Sequence, residues 1–417
     1  MKSYILGISC GYHDSAAALI KDGTVLGACE EERFTGVKHD SSFPINTIRW
    51  LYKEFKIEGE DIESVAFYDN PKSKLDRIEK SLKRGPITQF FNRKKILKRN
   101  KIKYSTFENQ IYGITNRNVD IFYSDHHLSH AAYSYYTSPY DRASVLSVDG
   151  VGEWETTTLY YGEGNKLSKI QQIKFPHSLG MLYSTFTAFL GFKPNEGEYK
   201  VMGLAPYGSH LFHDKMFDEL IKETDDGFEL NMEYFSYHYS DKIMFNTKLS
   251  KLLGVPNRLP EEPINDVHKN ISSALQYTYE KHFFRLLNKL HEKTKSKNLC
   301  LSGGCAYNGT ANGKIQSRTP FKNIWIPPAP SDAGSAIGAA LNYWNHMTND
   351  RKENKTPFLG PSEKILDVVS VVKENDDKIF YEALSDNELL PKVSKLISEG
   401  NIIGWVSGQL EFGARAL

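Results

Sequence analysis

The sequence has 417 residues, in which 52 Lys and Arg nearly balance 51 Asp and Glu, and 40% of the residues are hydrophobic. This composition predicts a large folded core of roughly two or three units and excludes disordered, collagen-like and coiled-coil classes. The sequence contains no run of about 18 apolar residues, which is the length that a membrane helix needs. Four scattered cysteines predict neither a disulfide framework nor a CxxC metal site. We therefore expect a cytoplasmic protein without a membrane partner.

Positive charge is concentrated in residues 71–104, where 13 Lys or Arg stand against Asp76 and Glu79. Such a segment is typical of a solvated helical insertion, and it would also suit phosphates, nucleic acid or an anionic lipid. Stacking aromatic residues are not interleaved with its densest run, residues 93–99, and no nucleic-acid motif is present. The sequence therefore does not favour nucleic acid as a partner.

The first half of the chain opens with three predicted strands, at residues 3–8, 16–20 and 25–30, and an Asp-Gly turn precedes the third. A helix is predicted after Pro44, because apolar residues recur there at helical spacing. A further strand is predicted at residues 64–68.

The second half begins in the same way, with strands predicted at residues 143–149 and 156–161 on either side of a glycine turn. Strands at 298–302 and 324–326 and a helix of small residues at 333–343 follow. Two lobes that each open with a strand–loop–strand hairpin resemble the duplicated actin-like ATPase fold. That resemblance implies an α/β protein with a nucleotide cleft between its lobes.

One actin-like domain is predicted over residues 1–345, with its second lobe opening near residue 143. The polar stretch 346–364 has the composition of a linker. Residues 365–417 would be the truncated start of a C-terminal region, because they are too few for an independent domain of typical size.

The strongest local signal for chemistry is the stretch 125–131 (DHHLSHA). His126 and His130 are four residues apart, so on a helix both imidazoles lie on one face and can share a metal ion. A single pair of this kind is weak evidence, because a buried helix also carries histidines for packing. Imidazoles completed by carboxylate oxygen suit iron, manganese or zinc. Asp332, at a predicted strand-to-helix turn, is the best candidate for a third ligand.

Two glycine turns could bind a phosphate through backbone amides. Residues 301–308 (LSGGCAYN) follow a predicted strand and precede a helix, where glycines allow close approach and a helix N-terminus favours anions. This is not a Walker A loop, since no Gly-Lys-Ser/Thr closes it. Asp149 and residues 150–152 form a second turn, although turns of both types also occur without a ligand.

His13 and Asp14 lie between the first two predicted strands, where the cleft of such a fold would open. His13 could carry a proton near neutral pH, or it could be a hydrogen-bonded loop histidine. The stretch 197–208 (GEYKVMGLAPYG) reads as an ordered loop, in which Lys200 could meet a phosphate or carboxylate.

Taken together, several stretches resemble the O-carbamoyltransferases of nodulation-factor and antibiotic biosynthesis, and the resemblance runs from near Lys2 to Leu417. The stretches are 11–17 (GYHDSAA), 31–34 (EERF), 125–127 (DHH), 197–208 and 302–304 (SGG).

The resemblance implies an actin-like domain similar to that of the tRNA threonylcarbamoyltransferases. It implies one divalent metal ion, usually Fe²⁺, held by His126, His130 and Asp332. It also implies two reactions: a C-terminal domain makes carbamoyl adenylate from carbamoyl phosphate and ATP, and the actin-like domain passes the carbamoyl group to the hydroxyl of a small-molecule acceptor. His13 would lie beside this acceptor, and the metal would polarise the carbamoyl oxygen.

Residues that would hold the adenylate follow from the same resemblance. They are Lys38, Asp149, Gly152, Gly180, Gly304 and Asn308.

The sequence departs from the family at its end, where an Arg-x-Glu-Phe-Gly-Pro-Arg-Ala-Leu-Gly stretch is expected. Residues 409–417 read QLEFGARAL, with Gln409 in place of an arginine and Ala414 in place of a proline. Glutamine cannot replace the two-pronged phosphate contact of a guanidinium. We therefore expect the chain to depend on a separate activating domain for carbamoyl adenylate, and a homodimer is left open.

Two other functions are left open. A tRNA threonylcarbamoyltransferase-like enzyme is disfavoured by the stretches 31–34 and 197–200. A non-catalytic actin-like nucleotide-binding protein would have no need of His126, His130 and Asp332.

Overall fold

The computed structural model describes most of the chain, namely residues 4–83, 90–213, 218–240, 242–352, 357–362, 372, 374 and 380–414. The basic segment 71–104, the predicted linker 346–364 and the predicted C-terminal region 365–417 therefore lie partly outside the described residues.

The first lobe is built on a five-stranded sheet with the order β3-β2-β1-β4-β5. Strands β1 and β2 are buried almost throughout, because helices cover the sheet, and this explains their nearly continuous apolar sequences. The elements in chain order are β1 (Tyr4–Ser9), β2 (Ala16–Lys21), β3 (Thr24–Glu30), α1 (Glu32–Thr35), α2 (Ile45–Phe55), β4 (Ile62–Phe67), α3 (Pro71–Lys83), α4 (Phe90–Thr115), β5 (Asp120–Tyr123) and α5 (His126–Tyr136).

The second lobe is built on another five-stranded sheet, with the order β12-β11-β6-β7-β8, and carries a small additional hairpin, β9–β10. Its elements are β6 (Arg142–Val148), β7 (Glu155–Glu163), β8 (Lys166–Lys174), α6 (Leu179–Phe189), α7 (Glu198–Leu204), β9 (Ile221–Thr224), β10 (Gly227–Leu230), α8 (Thr247–Leu253), α9 (Asp266–Thr294), β11 (Asn298–Ser302), α10 (Gly309–Asn312), α11 (Ile315–Arg318) and β12 (Asn323–Trp325).

The two sheets have the same topology. In each, the first three strands along the chain form an antiparallel meander, and two further strands are added parallel to the first. This repeated order is that of the duplicated actin-like ATPase fold, so the predicted fold class is confirmed.

Helix α12 (Asp332–Thr348) follows the second sheet and returns to the first lobe. It packs against β1, β2 and β4, whereas α5 packs against β6, β7 and β11, and the two helices pack against each other. Glycines make this packing close: a Cβ on Gly338 would lie 1.8 Å from the carbonyl oxygen of Ser129, and one on Gly7 would lie 2.0 Å from that of Ala336. The α5–α12 pair therefore fills the space between the two sheets.

The last described elements are β13 (Phe358–Ser362), α13 (Asp386–Ser398) and β14 (Gln409–Glu411). Strands β13 and β14 pair antiparallel beside β3, and Phe412 is fully buried in the core of the first lobe. Helix α13 buries none of its residues. Within the described ranges, no helix combines the length and the apolar character that a membrane crossing requires.

Candidate active site

Four side chains converge at the α5–α12 pair, with one ligand atom of each lying within 4.8 Å of the others: His126, His130, Asp149 and Asp332. Both histidines lie on α5, Asp332 is the first residue of α12, and Asp149 directly follows β6. The structure thus brings together the three residues that the resemblance assigns to a metal. It also adds Asp149, which the same resemblance assigns to the adenylate.

The imidazole nitrogens face each other and the two carboxylates. His126 Nε2 lies 3.0 Å from His130 Nε2 and 3.1 Å from Asp149 Oδ2. Asp332 Oδ1 lies 3.5 Å from the Nε2 atom of each histidine. The buried Oδ2 atom of Asp332 has no hydrogen-bond partner among the described residues. Two imidazoles, two carboxylates and an orphaned carboxylate oxygen fit a divalent ion such as iron, manganese or zinc.

Neighbouring polar groups hold the two histidines in place. Ser335 Oγ lies 2.9 Å from His130 Nδ1, which fixes the orientation of that ring. Glu153 accepts the backbone N–H of His126 with both oxygens, at 3.0 and 3.1 Å, at the N-terminus of α5. The sequence did not identify Glu153. Its one signal is its position just after the glycine turn at 150–152.

The charges in the cluster support one another. Burial alone would raise the pKa of Asp149, but hydrogen bonds from His126 and His130 hold that pKa well below its usual range. Burial alone would lower the pKa of His130, but hydrogen bonds with Asp149 and Asp332 raise it to about 9. Asp149 is therefore ionised at neutral pH, as is Asp332, whose pKa the neighbouring histidines also lower, whereas His130 must release a proton before it can bind a metal ion.

His13 lies at the edge of this cluster, as expected for a residue of the cleft. Its Nε2 atom lies 3.8 Å from Asp332 Oδ2, and its Nδ1 atom lies 2.8 Å from Asp14 Oδ2. Burial alone would lower the pKa of His13, but Asp332 and Asp14 raise it to about 9. Asp14 also contacts His39 Nδ1 at 2.5 Å, so its carboxylate bridges two imidazoles.

The three glycines assigned to the adenylate lie beside the cluster, two of them against Asp149 and one against His126. The N–H of Gly304 donates to Asp149 Oδ1 at 2.9 Å. A Cβ on Gly180 would lie 2.7 Å from the carbonyl oxygen of Asp149, and one on Gly152 would lie 3.0 Å from the His126 ring. The backbone of Gly180 and that of Gly304 therefore approach this aspartate closely, and the turns at 150–152 and 303–304 meet the four-residue cluster there.

Asn308 and Lys38 occupy different surroundings. The amide of Asn308 is paired on both sides with Gln276, at 3.0 Å each, and its Oδ1 atom also accepts the N–H of Ala311, capping α10. Lys38 is exposed in the loop that follows α1. Contact of either residue with an adenylate stays a prediction.

One wall of the cleft was not identified from the sequence, although it lies in the basic segment. Lys74 of α3 forms an ion pair with Asp69, and its ammonium lies 5.7 Å from the centre of the Tyr12 ring. The guanidinium of Arg77 lies 5.1 Å from the ring of Phe175, which belongs to the core of the second lobe. Helix α3 therefore connects the two lobes beside His13.

The duplicated sheets and the imidazole–carboxylate cluster between them define an actin-like protein with a candidate metal centre. The family model described as carbamoyltransferase N-terminus matches residues 4–341. The chain belongs to this family, which confirms the resemblance found in the sequence, and it is a transferase.

The matches to three similar proteins cover between 70% and 100% of the chain. An uncharacterised protein of Synechocystis is 41% identical over 430 residues, which include 100% of this chain and 70% of that protein. The nodulation protein NolNO of Sinorhizobium fredii is 31% identical over 97% of this chain and 57% of its own length. The nodulation protein NolO of Bradyrhizobium diazoefficiens is 28% identical over 70% of this chain and 52% of its own length.

Among solved structures, component A of the (R)-2-hydroxyglutaryl-CoA dehydratase of Acidaminococcus fermentans has a TM-score of 0.46 and 13% identity. The match covers 82% of this chain and 98% of that protein.

Proposed function

We propose that this chain transfers a carbamoyl group from carbamoyl adenylate to a hydroxyl of a small-molecule acceptor, with release of AMP and of the hydroxyl proton, at an Fe²⁺ or similar divalent ion. The observation that carries the proposal is the convergence of His126, His130, Asp149 and Asp332 beside His13. Carbamoyl phosphate and ATP would supply the adenylate through an activating domain. Membership of the carbamoyltransferase family and similarity to two nodulation proteins support this reaction class.

The adenylate would bind where the glycine turns meet. The N–H of Gly304 already donates to a carboxylate oxygen, so this turn presents backbone donors toward negative charge. Helix α6 begins beside the turn at 150–152, where the Ser178 hydroxyl donates to the carbonyl oxygen of Gly150 at 2.7 Å and accepts the N–H of Met181 at 3.0 Å. The N-terminus of α6 would add a favourable field for the phosphate.

His13 would act on the acceptor. Its contact with Asp14 fixes the ring, so that the Nε2 atom is directed toward the cluster and would donate a hydrogen bond that orients the acceptor oxygen. Because the pKa of His13 is raised to about 9, the ring would take up the proton of the acceptor only after it has released its own. The bound ion would supply Lewis-acid stabilisation of the negative charge that develops on the carbamoyl oxygen. The α3 wall, with Lys74 and Tyr12, would limit access of water and acceptor to this point.

The test supplies carbamoyl adenylate to the purified chain, loaded in turn with Fe²⁺, Mn²⁺ or Zn²⁺, together with sugars, aminoglycosides and polyketides as hydroxyl acceptors. Mass spectrometry measures the O-carbamoyl product, and metal content is measured on the same samples. We expect product from the wild type, and we expect His126→Ala and Asp332→Ala to lose both metal and product by about a hundredfold.

The matched control is His346→Ala, which removes an exposed imidazole from the end of α12. It should keep wild-type metal content and activity. Normal metal content and activity in Asp332→Ala would contradict the metal assignment, and absence of product with every acceptor and metal would contradict the transfer reaction.

A further inference from the structure

The stretch that follows β3 contacts the last described residues of the chain. Glu30, the last residue of β3, accepts the backbone N–H of Gly413 at Oε1, over 2.9 Å. Arg33 donates from Nη2 to the carbonyl oxygen of the same glycine, over 3.0 Å. Two buried or half-buried charged side chains therefore hold both backbone groups of one residue that lies 380 positions away from Arg33.

The segment that Glu30 and Arg33 hold is packed firmly. Phe412 is fully buried in the first lobe, and its N–H donates to the carbonyl oxygen of Pro357 at 2.8 Å. Gly413 has a φ of +136°, and a Cβ there would lie 2.4 Å from the carbonyl oxygen of Pro328. Only glycine fits this backbone and this contact. Gly413 thus lies directly on the turn at 328–331.

The turn at 328–331 is connected to two of the candidate metal ligands, Asp332 and Asp149. It ends at Asp332, the first residue of α12. Its Pro330 carbonyl oxygen also accepts the N–H of Gly303 at 2.7 Å, and the N–H of the next residue, Gly304, binds Asp149. The turn that Gly413 covers is therefore connected to both carboxylates of the cluster. It leads directly into Asp332, and it binds the glycine pair whose second member contacts Asp149.

We propose that Glu30 and Arg33 are positioning residues for the metal centre. By holding Gly413 against the turn at 328–331, they fix the point at which α12 starts and hence the position of the Asp332 carboxylate. The inference rests on the metal centre proposed above. It assigns a role to Glu30, to Arg33 of the stretch 31–34 and to the stretch 409–413, none of which a step of carbamoyl transfer uses directly. It also makes the segment 411–413 part of the site.

We call the contacts of Glu30 and Arg33 with Gly413 the clamp. If the clamp only stabilised the fold, its loss would change the unfolding midpoint and leave metal binding unaltered. A positioning clamp acts on the ligand geometry, because groups that orient metal ligands commonly change affinity when they are removed. The two roles are therefore separated by a direct measurement of metal binding to folded protein.

The experiment titrates metal-free protein with Co²⁺ and follows the visible d–d absorption, which reports both affinity and ligand geometry, while circular dichroism verifies folding. We expect Arg33→Gln and Gly413→Ala to bind Co²⁺ about tenfold more weakly than the wild type and with an altered spectrum. Glu30→Ala should behave like them. Glu30→Gln should remain close to the wild type, since its amide oxygen still accepts the N–H of Gly413.

Three reference variants make the result interpretable. Arg49→Gln removes an exposed arginine from α2 and should not change Co²⁺ binding. Ile48→Val trims the buried core of the same lobe and controls for general loss of stability. His126→Ala reports whether Co²⁺ binds at the proposed centre at all.

Wild-type affinity and spectrum in Arg33→Gln and Gly413→Ala, with loss of binding in His126→Ala, would overturn the clamp and leave the metal centre intact. An equal loss in Ile48→Val would also overturn it, because the effect would then be one of general stability. Unchanged binding in His126→Ala would overturn the metal centre and the clamp together.

Discussion

Asp149 connects the two halves of the candidate site through its two oxygens. One contacts His126 at 3.1 Å, and the other accepts the N–H of Gly304 at 2.9 Å. A group bound at the glycine turns and an ion bound by the histidines would therefore share this carboxylate. The structure thus places among the candidate metal ligands a residue that the family resemblance assigns to the adenylate.

Asn308 has a local role that predicts a loss of stability on substitution. Asn308→Ala removes the cap of α10 and two hydrogen bonds of the buried Gln276 amide, which keeps only its bonds with Tyr183 and Glu280. We expect the free energy of unfolding to fall by about 1–3 kcal/mol. Chemical denaturation measures this loss, and calorimetric titration with a non-hydrolysable adenylate analogue tests the predicted ligand contact separately.

Asn246→Ala is the matched control, because Asn246 also caps a helix, α8, through its side chain. It should cost about 1 kcal/mol, since the loss is mainly that of the cap. Equal losses in the two variants would contradict the contribution of the Gln276 pair.

The buried carboxyl of Glu30 should make the free energy of unfolding depend on pH. Burial raises the pKa of its carboxyl from 4.5 to about 7, although Arg33 acts in the opposite direction. The folded state therefore binds the proton more tightly than the unfolded state, and stability falls as the pH rises from about 4.5 to about 7. From the size of this shift, the contribution is at most about 3 kcal/mol.

The measurement is the difference in unfolding free energy between the wild type and Glu30→Gln across this pH range. Glutamine keeps the acceptor for Gly413 and cannot ionise, so the variant should gain stability relative to the wild type as the pH rises. A difference that stays constant with pH would show that Glu30 titrates normally in the folded protein.

At the scale of elements, the approach of α5 to α12 decides whether the ligands meet. The histidines lie on α5 and Asp332 begins α12, so the distance between these helices sets the size of the cluster. Gly338 permits the close approach, because any Cβ there would overlap the carbonyl oxygen of Ser129.

Gly338→Ala should therefore separate the helices, lower the free energy of unfolding by about 1–3 kcal/mol and weaken metal binding. Thermal denaturation and metal content measure the two effects. The control is Gly113→Ala, at an exposed helical position of α4 where a Cβ would meet nothing within 4 Å. That change should be neutral or stabilising by up to about 1 kcal/mol, because alanine favours the helix. Wild-type stability in Gly338→Ala would contradict the close contact.

At the scale of the whole molecule, the cluster brings together residues of the α5–α12 helix pair and a residue of the second sheet. The α5–α12 pair supplies three of the candidate ligands, and the end of β6 in the second sheet supplies the fourth, Asp149. A bound ion would therefore link the lobes, and its binding energy would contribute to the stability of the folded chain.

Removal of metal should accordingly lower the melting temperature, and addition of Fe²⁺ or Co²⁺ to chelated protein should restore it. At a free metal concentration a hundredfold above Kd, the stabilisation should be about 2.7 kcal/mol. Differential scanning calorimetry at several metal concentrations measures it. Asp149→Asn should show a smaller shift, and a melting temperature independent of metal in the wild type would contradict an ion between the lobes.

The sequence by itself determined the local features. Alternating apolar runs and turns predicted the hairpins of both lobes, and the i, i+4 spacing placed His126 and His130 on one face of a helix, where the structure has them. The order of the motifs also indicated the family, which the family model confirms. These features can be predicted from the sequence because periodicity and turn chemistry depend on only a few neighbouring residues.

Only the tertiary structure decided which distant groups meet. Asp149 joins the cluster because β6 ends beside α5, and Arg33 reaches Gly413 because the β13–β14 pair lies along β3. Glu153, in the turn that follows β6, contacts the N-terminus of α5 because β6 ends beside that helix. Such contacts depend on how sheets and helices stack, and residues far apart in the chain carry no local pattern that records their eventual distance.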